Sequence, residues 1–378
     1  MRCAKVRTVD RDGMQTLFTS HFWMRLLGSL AALVLMGSIA LAGSPAFAGL
    51  PPGNAVTDPD ALLRDALPIK QGDLIELQHR LEATSDGLRA KRWGSLNRTI
   101  RRTQAAFTTR KASIQESIPG DRQKRAQGEL EELRSSLGRL LTDTEMRERD
   151  TFLADRRQAL NAIGTLESLL VEGVELEIPA EFDDLPRLRG RASVSISTSK
   201  GDLLAVVDGY NAPLTAGAFV DLVRRGFYDG LPFTRAEDFY VLQTGDPDGD
   251  ADGFVDPKTG RQRQVPLEIR VPGESVPFYN QTFEDLGLYK ATPILPFATK
   301  GTLGWAHSNQ ALNDGSSQFF LFLFEPELTP AGLNLIDGRY AAFGYVVDGF
   351  DVLEELTAED RVERIRLVDG EEAFMEHA

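Results

Sequence analysis

The stretch Phe233-Thr-Arg-Ala-Glu-Asp-Phe-Tyr-Val-Leu-Gln243, followed by Thr244-Gly-Asp246, sets one arginine among aromatic and aliphatic residues, with a glutamine eight positions later. Side chains alternate across a strand, so residues an even number apart share one face. If the intervening turn keeps that register, Arg235 and Gln243 converge as a polar pair in an apolar wall. Two later blocks have the same character. Gly301-Thr-Leu-Gly-Trp-Ala306-His307 runs through the polar loop 308–315 into Ser316-Ser-Gln318-Phe-Phe320-Leu-Phe-Leu-Phe324, and Leu335-Ile336-Asp337-Gly338-Arg-Tyr340-Ala-Ala-Phe343-Gly344 follows. Alone, residues 319–324 would read as an ordinary buried strand and Arg235 as a surface arginine. Their order and spacing are what make a pocket.

These blocks, preceded by Pro213-Leu-Thr-Ala-Gly-Ala-Phe219-Val-Asp-Leu222 and Gly226-Phe-Tyr-Asp-Gly230, resemble the cyclophilin family of peptidyl-prolyl isomerases across residues 190–370. The resemblance implies a cyclophilin-like closed antiparallel β-barrel with Arg235 as the catalytic residue. It also implies a substrate slot of Tyr240, Val241, Gln243, Ala306, His307, Gln318, Phe320, Leu335, Ile336 and Tyr340. The chemistry suits those residue types. Amide resonance sets a barrier of about 18–20 kcal/mol to X-Pro rotation, and a guanidinium that donates to the prolyl nitrogen favours the twisted, resonance-broken state. No metal and no cofactor is called for. The family pattern is altered in places. Leu335 stands where tryptophan is usual, Tyr340 where a pocket histidine is usual, and Thr234 where a histidine precedes the arginine. These changes imply a lower rate, and a slot that binds proline segments more readily than it turns them over.

The chain begins with Arg2, Lys5, Arg7 and Arg11, then an uncharged apolar run over 26–42, then Ala46-Phe-Ala48. That pattern reads as a signal peptide over 1–48, hence an exported protein, for which a signal alone fits the periplasm and the resemblance given below implies the thylakoid lumen. The single cysteine, Cys3, lies inside it, so cysteine catalysis and cysteine metal sites are excluded from the rest. Three scattered histidines, His79, His307 and His377, argue against a histidine-rich metal site or a Ser-His-Asp triad. His307 is expected as a neutral pocket-lining side chain.

Two halves with different charge follow. Residues 49–180 hold 20 Lys+Arg against 21 Asp+Glu, a net of −1, and residues 181–378 hold 17 against 33, a net of −16. An acidic surface argues against nucleic-acid partners, whose phosphates are met mostly by Lys and Arg. The first half reads as helix throughout, with apolar residues three and four apart: Trp93, Leu96, Ile100, Phe107 and Ile114; Leu130, Leu133, Leu137 and Leu140; Phe152, Ala159, Ile163, Leu166 and Leu170. Ser117-Ile-Pro119-Gly-Asp121 breaks the pattern. The expected organisation is multidomain α plus β: signal peptide 1–48, an N-terminal antiparallel helical bundle over 49–177 that also takes in the amphipathic stretch 58–67, a linker over 178–189, the cyclophilin-like domain over 190–370, and a C-terminal tail over 371–378. A basic cluster including Arg89, Arg101 and Arg110 is expected on a solvated face or docked on the acidic domain as a bundle–barrel contact.

Asp248-Gly-Asp250-Ala-Asp252-Gly253 mimics the start of a calcium loop, but position twelve is Thr259 where a glutamate is required, so it reads as an acidic turn. Phrases such as Gly253-Phe-Val-Asp-Pro257 and Leu286-Gly-Leu-Tyr-Lys290 are similar to the thylakoid-lumen cyclophilins of cyanobacteria and plants. That resemblance implies photosystem II assembly and repair as the role, with proline-containing lumenal loops of its membrane proteins as clients. The alternative it leaves is a catalytically weak binding module or scaffold that regulates membrane-protein partners such as a phosphatase.

Overall fold

Leucine spacing builds the first core. In the computed structural model, which describes residues 57–69, 71–171, 176–237, 239–324 and 335–376, six helices precede the first strand: α1 (Pro59–Asp65), α2 (Gly72–Glu82), α3 (Thr84–Arg89), α4 (Trp93–Ser117), α5 (Gln123–Met146) and α6 (Arg149–Val171). The signal peptide expected over 1–48 lies outside the described residues. On α4, Leu96, Ile100, Thr103, Phe107 and Ile114 are buried; on α5, Leu130, Leu133, Leu137 and Leu140. A spacing of three and four keeps such residues on one stripe of the helix. Together with Phe152, Ala159, Ile163 and Leu166 of α6 and Leu74, Leu77 and Leu81 of α2, they form one core. Pro119 and a single 3-10 turn, Gly120–Arg122, separate α4 from α5, and α5 stops where Arg147 takes a left-handed φ of 61°. Among the described residues no helix is long and apolar enough to cross a membrane.

The helix α1, grouped with the bundle by its amphipathic pattern, has a different partner. Leu62, Leu63 and Ala66 belong to the core of the β-rich half. Seven residues cannot sustain a helix alone, and the last carbonyls of any helix lack intrahelical donors. Side chains of the β-rich half supply them: Arg191 Nη2 donates to the Leu63 carbonyl, and Asn211 Nδ2 to that of Ala66 at 2.9 Å. The fully buried Asp208 holds both donors, accepting from Arg191 Nε at 2.8 Å and from Asn211 Nδ2 at 3.0 Å. The basic cluster of α3 and α4 pairs within the helical half: Arg101 with Glu145 at 3.0 Å, and Arg110 with Asp73 at 3.3 Å and with Glu76.

The second half comprises β1 (Arg187–Leu188), β2 (Arg191–Thr198), β3 (Gly201–Asp208), α7 (Pro213–Arg224), β4 (Arg235–Glu237), β5 (Val241–Thr244), β6 (Glu268–Ile269), β7 (Phe278–Tyr279), β8 (Thr302–Trp305), β9 (Phe319–Phe322), β10 (Ala341–Asp348), α8 (Phe350–Glu355), β11 (Val362–Asp369) and β12 (Phe374–Met375). Eight strands make one antiparallel sheet in the order β11-β2-β3-β10-β8-β9-β5-β4. This corrects the expectation of a closed barrel. The sheet is curled but open, with β11 and β4 as its edges. Its ends are drawn together by the bridge between Pro232 and Arg361, flanked by Gly230 N to Val362 O and Val362 N to Leu231 O, both 2.9 Å. Phe233 N donates to the Asp360 carbonyl at 3.5 Å on the other side of the proline, and the pairing goes no further.

The segments expected as linker and tail are structured against each other: Arg187 of β1 pairs with Met375 of β12, and Leu188 with Phe374. The helix α7 is buried on nearly every side. A buried carboxylate, Glu268, receives its first turn, accepting from Leu214 N at 3.1 Å and Thr215 N at 2.9 Å, and also from Tyr279 Oη at 3.0 Å. The helix N-terminus favours an anion there, yet burial outweighs these donors and pushes the carboxyl up to about 7.

Candidate functional site

One row of directly opposed residues crosses four strands. Arg235 on β4 faces Gln243 on β5, Gln243 faces Phe320 on β9, and Phe320 faces Gly304 on β8. Opposed residues point to the same side of a sheet, so the guanidinium, the amide and the ring line up on one face. The glycine makes this possible, since a Cβ at Gly304 would sit 2.2 Å from Cζ of Phe320. A glycine inside a strand often marks such a close approach.

The Phe320 ring is held from two sides. Phe297 stacks parallel to it, centroids 5.7 Å apart, and Tyr340 meets it edge-on at 5.5 Å. Phe297 is itself fixed through its backbone, whose N–H donates to Asp337 Oδ1 at 2.8 Å. Tyr340 stacks on His307 at 4.7 Å, and the two imidazole nitrogens lie 2.8 Å from the Ser308 carbonyl oxygen and 2.9 Å from that of Arg339. His307 thus ties the loop after β8 to the turn before β10, in a stacked rather than open position. Val241 and Ile336 are buried beside this group, and Ala306 is half-buried. Tyr240 turns its ring edge toward Phe322 at 6.0 Å. Burial, and then the Tyr340 phenol, push its hydroxyl above the usual range, while Arg235 opposes them.

The polar side is a relay. Gln243 Nε2 donates to Gln318 Oε1 at 2.7 Å, and Gln318 Nε2 donates to the Asp252 carbonyl at 2.8 Å, so the acidic insertion reaches the site through its backbone. Arg235 lies at the rim with 51% of its side chain exposed, donating from Nε at 2.8 Å and from Nη2 to Glu237 Oε1. A rigid five-donor fork beside an apolar floor can bind a carbonyl or a prolyl nitrogen without a covalent step.

Of the residues assigned to the slot, Leu335 is the most exposed, with 84% of its surface in solvent. Ile336, the next residue, is buried. Three contributors had no role from sequence. Phe297 sits in a proline-containing stretch without periodicity, Glu237 is one of many acids in this half, and Gly304 is signalled by a glycine within a strand pattern.

Residues 193–370 match the family described as cyclophilin type peptidyl-prolyl cis-trans isomerase/CLD, and residues 58–171 match the peptidyl-prolyl cis-trans isomerase CYP38-like, PsbQ-like domain. The chain is 47% identical over 318 residues to a protein named as a thylakoid lumen peptidyl-prolyl cis-trans isomerase in Synechocystis sp., covering 84% of each chain. It is 41% identical over 329 residues to the chloroplastic peptidyl-prolyl cis-trans isomerase CYP38 of Arabidopsis thaliana, covering 84% of this chain and 75% of that one. A solved cyclophilin type isomerase of Cryptosporidium parvum, in the presence of the dipeptide ala-pro, aligns at 23% identity and a TM-score of 0.35 over 47% of this chain and 99% of that chain.

Proposed function

The chain belongs to the cyclophilin-type peptidyl-prolyl cis-trans isomerases, and on that footing we propose that it isomerises proline-containing protein segments through Arg235. The observation that carries this is the row Arg235–Gln243–Phe320 over Gly304. The prolyl ring rests on Phe320, Val241, Ile336 and Tyr340. Gln243 and Gln318 hold the flanking peptide groups, and Arg235 donates toward the prolyl nitrogen as it pyramidalises. A donor that is placed before the twist occurs stabilises the twisted state more than either planar one.

The names of the relatives support the thylakoid lumen as the place of work, with the periplasm as the second exported compartment. The clients we propose are proline-containing lumenal loops of photosystem II membrane proteins, helped during assembly and repair. The test is isomerisation of an X-Pro peptide by the full chain and by Arg235→Ala. Loss of at least about 100-fold in kcat/KM is expected. Equal rates would sink the proposal, and retained peptide binding without turnover in the full chain would replace it with a binding module.

A further inference from the structure

The hairpin that presents Arg235 also presents a carboxylate with no part in the chemistry above. Glu237 ends β4 two residues after Arg235, so both side chains leave the sheet on one face. Tyr240 N donates to the Glu237 carbonyl at 2.9 Å, and Phe239 has a φ of 61°, which glycine or asparagine adopts more readily. The bond holds Glu237 beside the slot wall Tyr240, whose hydroxyl the carboxylate helps to push upward.

The contact between the two charges is one-sided. Arg235 uses Nε and Nη2, and both donate to the same oxygen, Oε1. The Nη1 edge of the guanidinium is left to meet a ligand. Among the described residues no donor reaches Oε2 of Glu237, and 48% of the side chain is exposed. An ion pair this exposed is too weak to lock the arginine away from a substrate. A carboxylate with one oxygen on Arg235 and the other open therefore stands at the rim of a slot that holds the neighbours of a proline. Arg235 offsets part of that charge through Oε1, and the half of the chain that carries the pair has 17 basic against 33 acidic residues.

We infer that Glu237 sets the substrate preference of this site, selecting proline segments with a lysine or arginine next to the proline. The inference rests on the reading of the Arg235 row as the peptide-binding site. A cation that reaches Oε2 gains an exposed charge pair, and an anion at the same place meets repulsion. Each is worth a factor of up to about five at low salt, and both shrink as salt screens them.

The experiment compares the full chain, Glu237→Gln, and Glu355→Gln, which removes the same charge at an exposed position on α8. Peptides with Lys, Ala or Glu directly before proline are assayed for isomerisation and, by fluorescence titration, for binding, at low and high salt. The expected result is a Lys-over-Glu preference of about tenfold at low salt that falls to about twofold in Glu237→Gln and is unmoved by Glu355→Gln. An unchanged preference in Glu237→Gln would overturn the inference, as would an equal loss in both variants, which would assign the effect to the overall field. If no peptide is isomerised yet binding keeps a Glu237-dependent preference, the isomerase reading fails and this inference stands. Turnover without charge preference has the reverse meaning.

Discussion

Two arginine–glutamate neighbourhoods in this molecule show what solvent does to the same pair of residue types. At the rim of the slot, Arg235 and Glu237 meet with about half of each side chain in water. Between the helical and β-rich halves, Glu167 is fully buried beside Arg64, and neither of its oxygens accepts a hydrogen bond among the described residues. Burial pushes the Glu167 carboxyl up to about 8, with Asp65 and Glu82 adding to the rise and Arg64 opposing it. The exposed pair costs little to rearrange and so is available to a ligand. The buried group resists charging and is a stability element that answers to pH. Glu167 is out of reach of water, whereas Arg235 faces outward.

Four measurements would break or sharpen that contrast. The largest effect belongs to Arg191→Ala, which leaves Asp208 buried without its cation and the Leu63 carbonyl without its donor. Breaking one side of a buried pair costs about 3–5 kcal/mol, to be read from denaturant unfolding; a loss below about 1 kcal/mol would mean the pair behaves as if exposed. Next, Arg235→Ala should lower kcat/KM by about 100- to 1,000-fold, or 2.7–4 kcal/mol. Its unfolding free energy should move by less than about 1 kcal/mol, since the ion pair it loses is in water. A comparable drop in stability would show that the rim is structural.

The third concerns Glu167. Its folded pKa is raised above the ordinary 4.5, so between these values the folded chain holds a proton that the unfolded chain lacks. The stability this proton brings is full below about pH 4.5 and is lost as pH rises toward 8. The wild type should therefore be more stable at pH 5 than at pH 8. Glu167→Gln should reduce that difference by at least about 1.4 kcal/mol, the worth of one pKa unit. Some slope will remain from Glu268, raised to about 7 in the same direction. An unchanged pH profile would mean that the Glu167 site is wetter than its burial implies. The smallest effect is that of Leu335→Ala. With 84% of the residue exposed, stability should move by no more than about 0.5 kcal/mol, and isomerisation should change less than twofold; a tenfold loss would return Leu335 to the slot wall.

The long helices were legible because a helix core is written in local spacing. Leu130, Leu133, Leu137 and Leu140 lie on one stripe whatever they pack against, and all four are buried. Most of the site was legible for a similar reason: strand alternation puts Arg235 and Gln243 on one face, and the hairpin makes them direct partners. Leu335 and Ile336 could not be told apart, because they lie in a turn, where alternation gives no face. The open sheet was not legible either. Its edges, β4 and β11, are more than a hundred residues apart in the chain, and Pro232, which bridges to Arg361, reads locally as an ordinary loop proline.

What α1 teaches is more general. The apolar residues at positions 62, 63 and 66 are plain in the chain, and so is the need to cover them. Which surface covers them is not, because burial of apolar area is non-directional and rewards the bundle and the sheet equally. Directional bonds made the choice: Arg191 and Asn211, poised on Asp208, meet the unsatisfied carbonyls of Leu63 and Ala66. The same division holds at the slot, where residue types and their spacing specify an arginine over an apolar floor. Only the folded chain sets Phe297 against Phe320, since that stack depends on a backbone N–H reaching Asp337 from forty residues away.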